Sequence, residues 1–157
     1  TFVSKREFTQ QPDRFTVANG APVRSFTNID VLDIPENATI NSARFTIFAD
    51  PESVPDDSSD SFAVYVSRLT EELATPADMQ IDTTHIYGGT LYSDSVTVEI
   101  SPFMQRWVSG FLSNEGIIIS GQDEGENIKL RRFYSSSADS SLRPRLKVNY
   151  TLPPENH

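Results

Sequence analysis

Apolar and polar residues alternate with a period of two along most of this chain, the pattern of strands that lay one face on a core. In residues 40–48 (INSARFTIF), Ala43, Phe45 and Ile47 share one face, while Arg44, Thr46 and Phe48 share the other. Residues 61–69 (SFAVYVSRL), 23–31 (VRSFTNIDV) and 96–100 (VTVEI) alternate in the same way. Residues 117–119 break the rule with three consecutive isoleucines bounded by glycines, which predicts a central strand covered on both sides. In the closing segment RPRLKVNY, Leu146, Val148 and Tyr150 are expected to face the core, and Arg145, Lys147 and Asn149 to face out. Clusters of Pro, Gly, Asn, Asp and Ser separate these runs, and Pro35 in DIPENAT marks a turn because it cannot donate into a central ladder.

One stretch departs from this period. Ser101 followed by Pro102 predicts a short helix over residues 102–109, with serine capping free amides and proline at the first helical position. Phe103 and Trp107 then share one face, and Gly110 is placed to end the helix. Trp107, the only tryptophan, is expected to plug one end of a sandwich rather than stack on a sugar. EELATPADM has room for a helical turn ended by Pro76, GQDEGEN is expected to form a hairpin after the isoleucine strand, and YGGTLY to form a turn between strands. The sum is an all-β antiparallel β-sandwich with one short helix.

At 157 residues the chain suits a single domain over 1–157. Its start at Thr1 and the closing LPPENH suggest a piece of a longer protein, with residues 152–157 beginning a linker to neighbouring domains. No apolar run approaches a membrane span, and a net charge of −9 opposes general attraction to nucleic acid or anionic membrane. The absence of cysteine removes disulfides and thiolate metal sites.

Candidate chemistry is sparse. Two histidines, no G-x-S-x-G elbow, no H-E-x-x-H pair and no glycine-rich phosphate loop argue against catalysis, and no cofactor is expected. Residues 50–60 (DPESVPDDSSD) hold five carboxylates but lack the spacing of a calcium loop, so they are expected to form a solvated acidic loop, with structural calcium the lesser option. Lys129, Arg131, Arg132, Arg143, Arg145 and Lys147 place six of thirteen basic residues within nineteen positions. If the strands carrying them pair, a basic stripe forms, and its guanidinium forks suit carboxylates or sulfates on a polysaccharide. The alternative is that these cations neutralise local acids or blunt an edge strand. Tyr87, Tyr92 and Tyr134 are candidate flat faces for a sugar ring.

Three stretches together resemble the DNRLRE or disaggregatase-related domain family. They are VRSFTNIDVLDIPENATINSARFTIF, with Ile29, Asp30, Pro35, Ile40 and Ala43; VTVEISPFMQRWVSGFLSNEGIIISG, with Trp107, Gly110, Asn114 and Gly116; and RFYSSSADSSLRPRLKVNY, with Phe133, Ser135, Arg143, Pro144, Leu146, Val148 and Tyr150. The resemblance runs from Val23 to Tyr150 and implies a secreted jelly-roll sandwich of the kind that binds polysaccharide beside glycan-active enzymes. Arg24 matches the family's basic early strand, whereas Asn28 stands where a second basic residue often lies, and the family's Gly-rich opening is missing. Arg143 is expected to be a fold residue, paired with an acid. The sequence thus predicts a secreted or cell-surface, noncatalytic carbohydrate-binding module for an acidic, uronate-type polysaccharide. Its expected binding residues are Lys129, Arg131, Arg132, Arg145, Lys147, Tyr134, Tyr87, Tyr92 and Arg24. The competing expectation is a structural or adhesive spacer, or a protein-docking sandwich.

Overall fold

The alternating segments become nine strands and the Pro102 segment becomes one helix in a computed structural model that describes residues 12–21, 23–54, 61–75, 77, 79–122 and 128–155. The elements are β1 (Arg14–Asn19), β2 (Arg24–Thr27), β3 (Thr39–Phe48), β4 (Ala63–Leu69), β5 (Ile81–Thr90), β6 (Ser95–Glu99), α1 (Ser101–Val108), β7 (Ile117–Gly121), β8 (Lys129–Tyr134) and β9 (Arg145–Thr151). One sheet runs β2-β7-β4-β5, a second β6-β3-β9, and β1 pairs with β8 as a separate ribbon; every pairing is antiparallel. The protein is an all-β sandwich.

The alternation does the work expected of it. Ala43, Phe45, Ile47, Val96 and Val98 of one sheet meet Val64, Val66, Ile117 and Ile119 of the other in one buried cluster. Strand β7 lies between β2 and β4, so Ile118, on the opposite side from Ile117 and Ile119, is buried as well. Phe103, Met104, Trp107 and Val108 of α1 close the cluster, and the Phe103 and Trp107 rings lie 4.9 Å apart. Trp107 is 5% exposed and therefore a core residue without a face for a ligand. Gly110, at φ +71°, ends the helix as expected. The start shifts by one residue: Ser101 is already helical, and its hydroxyl bonds Glu99 and the Ala43 amide instead of a free helix amide.

The ribbon joins the two sheets. Phe133 of β8 is fully buried between Phe15 and Phe62, at ring separations of 5.7 and 6.3 Å. Ala49 bridges to Phe133, and the Asp50 amide donates to the Arg132 carbonyl, which fastens β8 to the end of β3. On the other side, Gly20 donates to the Gln122 carbonyl, next to a point where a Cβ on Gly121 would stand 2.1 Å from the Ala18 oxygen. Across the molecule, a Cβ on Gly89 would stand 2.5 Å from the Thr97 oxygen, so β5 reaches β6 of the opposite sheet backbone to backbone.

Several expectations change. The strands either side of GQDEGEN do not pair with each other, since β7 pairs with β2 and β4 while β8 pairs with β1; its residues 123–127 lie outside the described residues. Tyr87 to Thr90 belong to strand β5, and only the Tyr92–Ser95 bridge forms the turn. The early strand stops at Thr27, after which Asp30 accepts the Leu32 amide in a local turn. Of EELATPADM, residues 71–75 form no helical turn, Ala77 has 3-10 conformation, and residues 76 and 78 lie outside the described residues. Tyr150 is 42% exposed at the end of β9. Asp50 is the largest correction: instead of opening a solvated loop it is 2% exposed. Its carboxylate accepts hydrogen bonds from Arg14 Nε at 2.9 Å and the Glu52 amide at 3.1 Å, capping the 3-10 turn Pro51–Ser53, and forms an ion pair with Arg132 Nη2 at 3.1 Å. The rest of the acidic segment, residues 55–60, lies outside the described residues.

Trp107→Ala should lower stability by ~3–5 kcal/mol through lost burial and a residual cavity. Denaturant titration with unchanged slope would show it, and an unchanged midpoint would contradict the core assignment.

Candidate functional site

The outward face of the β6-β3-β9 sheet carries the most distinctive surface. Alternation turns Ser42, Arg44, Thr46 and Phe48 of β3 away from the core, and antiparallel register sets β6 and β9 beside them in rows. Glu99, Arg44 and Lys147 form one row; Thr97, Thr46 and Arg145 form the next; Ser95 and Phe48 follow. Hydroxyls and amides pair across the strands: Thr46 with Thr97 at 2.9 Å, Asn149 Nδ2 with Ser42 Oγ at 2.8 Å, and Asn41 Nδ2 with Thr151 Oγ1 at 2.7 Å. The guanidinium of Arg145 lies 5.1 Å over the Phe48 ring and donates to the Ser141 carbonyl, which fixes its plane against the sheet. Three cations, Arg44, Arg145 and Lys147, thus face a single carboxylate on a chain of net charge −9.

Glu99 is held in place by more than Arg44, whose Nε stands 3.5 Å away. Burial acts to raise its pKa, but hydrogen bonds from the Ser101 hydroxyl and the Ala43 and Ser101 amides, together with Arg44, bring it below the ordinary carboxylate value. It remains charged at neutral pH and keeps Arg44 in the row.

Of the sequence-predicted residues, only Arg145 and Lys147 share this face. Lys129, Arg131, Arg132 and Tyr134 lie on β8, which does not pair with β9, so the stripe of six basic residues does not form. Arg131 is 6% exposed, with its guanidinium 5.3 Å from the Phe62 ring and Nη1 donating to the Leu130 carbonyl. Arg132 is engaged by Asp50 and Glu52. Lys129 opens β8 opposite Asn19, and Tyr134 lies under the Arg14 guanidinium at 4.9 Å. Tyr87 is half-buried, 5.4 Å from the Phe103 ring. Tyr92 is 85% exposed at the β5–β6 turn, and Arg24 is exposed on the edge strand β2. Arg143 is exposed and donates to the Ala138 carbonyl at 2.6 Å, so its partner within the 135–144 segment is a backbone oxygen and not an acid. Arg44, Thr46 and Phe48 went unassigned because their alternation showed an outward face without showing that β9 lies beside it.

A second titratable cluster sits where β5 bulges between its pairings to Ser67 and Leu69. Burial acts to raise the Asp82 pKa, yet the Thr84 amide, the ring and amide of His85, and Arg68 at 3.0 Å together hold it below the ordinary value of 3.8. The carboxylate thus anchors the bulge. Among the described residues no group of three or more metal-ligating side chains converges, and no helix is long and apolar enough to cross a membrane. No known family, curated protein or solved structure matches the chain.

Because the native pKa of Asp82 lies below its unfolded value, the stability it contributes is complete above about pH 4 and is lost as pH falls through the native value. Asp82→Asn should therefore be less stable than the parent at neutral pH, with the gap narrowing below pH 4. Melting temperatures across an acid series test this, and a constant gap would contradict it.

Proposed function

We propose that the protein is a noncatalytic carbohydrate-binding module, part of a larger secreted or cell-surface protein, that holds an acidic, uronate-type polysaccharide on the outer face of the β6-β3-β9 sheet. The observation that carries this reading is the local excess of cations, Arg44, Arg145 and Lys147 against Glu99, on an otherwise acidic chain. A flat sheet face of this kind accepts an extended chain. Guanidinium forks pair with carboxylates, and the Thr46–Thr97 and Ser42–Asn149 pairs offer hydroxyl and amide groups to sugar hydroxyls. Phe48 supports the Arg145 plane from beneath. Tethering such a face to a glycan-active partner raises the partner's effective substrate concentration.

Affinity gel electrophoresis with alginate and pectate tests the reading. Retardation should appear at low salt and fade as ionic strength rises. Arg145→Ala with Lys147→Ala should weaken affinity at least about tenfold, as expected for loss of charge-assisted hydrogen bonds. Glu99→Gln should strengthen it roughly two- to fivefold by removing the one opposing charge. No retardation on alginate, pectate or sulfated glycans would favour a spacer or protein-docking sandwich.

A further inference from the structure

On the other sheet, Phe26 of β2 is 40% exposed, and its ring rests on bare backbone. A Cβ on Gly116 would stand 2.6 Å from Phe26 Cε2 and 3.0 Å from Asn28 Oδ1. Gly116 also has φ +92°, a conformation that favours glycine, so both space and backbone reserve the position for a residue without a side chain. The ring forms one wall of an open cleft of about 300 Å³ completed by Asn28, Glu72, Leu73, Asn114 and Glu115. Asn114 is committed to the fold, donating to the Ile29 carbonyl and accepting the Gly116 amide, and so keeps its wall fixed.

We propose that this cleft is a binding site for an uncharged sugar residue, separate from the cationic sheet face and independent of the acidic-glycan reading. A saccharide presents an apolar C–H face and hydroxyls that both donate and accept. The cleft matches both features: the exposed Phe26 face for stacking, the Glu72 and Glu115 carboxylates as acceptors, and the Asn28 amide as donor and acceptor. Neither carboxylate makes an ion pair with a described residue, and the Asn28 side chain makes no hydrogen bond to one. The lining contains no lysine or arginine, so its two carboxylates repel uronates and sulfates and select for a neutral glycan. An ammonium ligand suits the carboxylates but carries donors only, and so offers no acceptor to the Asn28 Nδ2 that a sugar hydroxyl would satisfy.

The test is an NMR titration of the ¹⁵N-labelled protein with neutral oligosaccharides of glucose, mannose, xylose and galactose, beside an oligouronate and a lysine peptide. At least one neutral sugar should shift the amides of Phe26, Asn28 and Asn114 to Gly116 at millimolar concentration, with affinity independent of salt. Phe26→Ala should weaken that binding about tenfold. Glu72→Gln, on an exposed residue outside the core, should weaken it several-fold while leaving the fold intact, and Arg145→Ala should leave it unchanged. Shifts at these amides from the lysine peptide alone, no shift from any neutral sugar, or neutral-sugar binding unaltered by Glu72→Gln would each overturn the proposal. Oligouronate binding elsewhere leaves these outcomes unaffected, so the two sites are judged separately.

Discussion

The buried carboxylate of Asp50 is the constraint on which the arrangement of strands depends. A carboxylate at 2% exposure is tolerable only when paired and hydrogen-bonded, because desolvation of an isolated ion costs several kcal/mol. Asp50 sits just past the end of β3, and its partners come from opposite ends of the chain, Arg14 on β1 and Arg132 on β8. Satisfying it brings the β1–β8 ribbon against the second sheet, and the Asp50 amide and Ser53 hydroxyl complete the contact through Arg132's backbone. The same requirement decides where positive charge is left over. Arg132 is taken by the fold, whereas β9, paired to β3 ahead of Asp50, keeps Arg145 and Lys147 on the outside.

This division explains what could be read from the chain beforehand. Strand alternation in residues 40–48, the isoleucine strand and the Pro102 helix were legible because each is set by local periodicity or capping. Asp50 was misread because a carboxylate beside proline in an acidic run looks solvated. Its burial depends on arginines 36 and 82 positions away, which no local pattern links to it. The candidate face suffered the opposite error. A basic stripe depended on the strands carrying six nearby cations pairing with each other, but β8 and β9 belong to different ladders, and the cation that completes the face, Arg44, comes from β3. The Phe26 cleft left a weaker trace still, since its walls come from β2, the segment after β4 and the segment before β7.

The two proposed sites divide the surface by charge. The β6-β3-β9 face combines three cations with hydroxyl and amide pairs, and the Phe26 cleft combines two carboxylates with an aromatic ring. If both proposals hold, an acidic sugar on one face and a neutral one in the cleft would suit a glycan with mixed neutral and acidic residues, or two different strands of a polymer network. In either case the strongly negative net charge is no obstacle, because recognition is governed by the local field within a Debye length, roughly 8–10 Å.

Gly89 and Gly121 mark the places where backbone from one part of the sandwich touches another without an intervening side chain. The Gly89 contact joins Thr97, eight positions along the chain, whereas Gly121 meets Ala18, more than a hundred positions earlier. Loop-closure entropy rises with that separation. One long side of the sandwich is therefore sealed by a local contact and the other by a contact that spans most of the polypeptide. The ribbon side is thus closed by a contact between distant parts of the chain, as the β3–β9 and β2–β7 ladders also are, so fastening β1 completes a fold already held by long-range pairings.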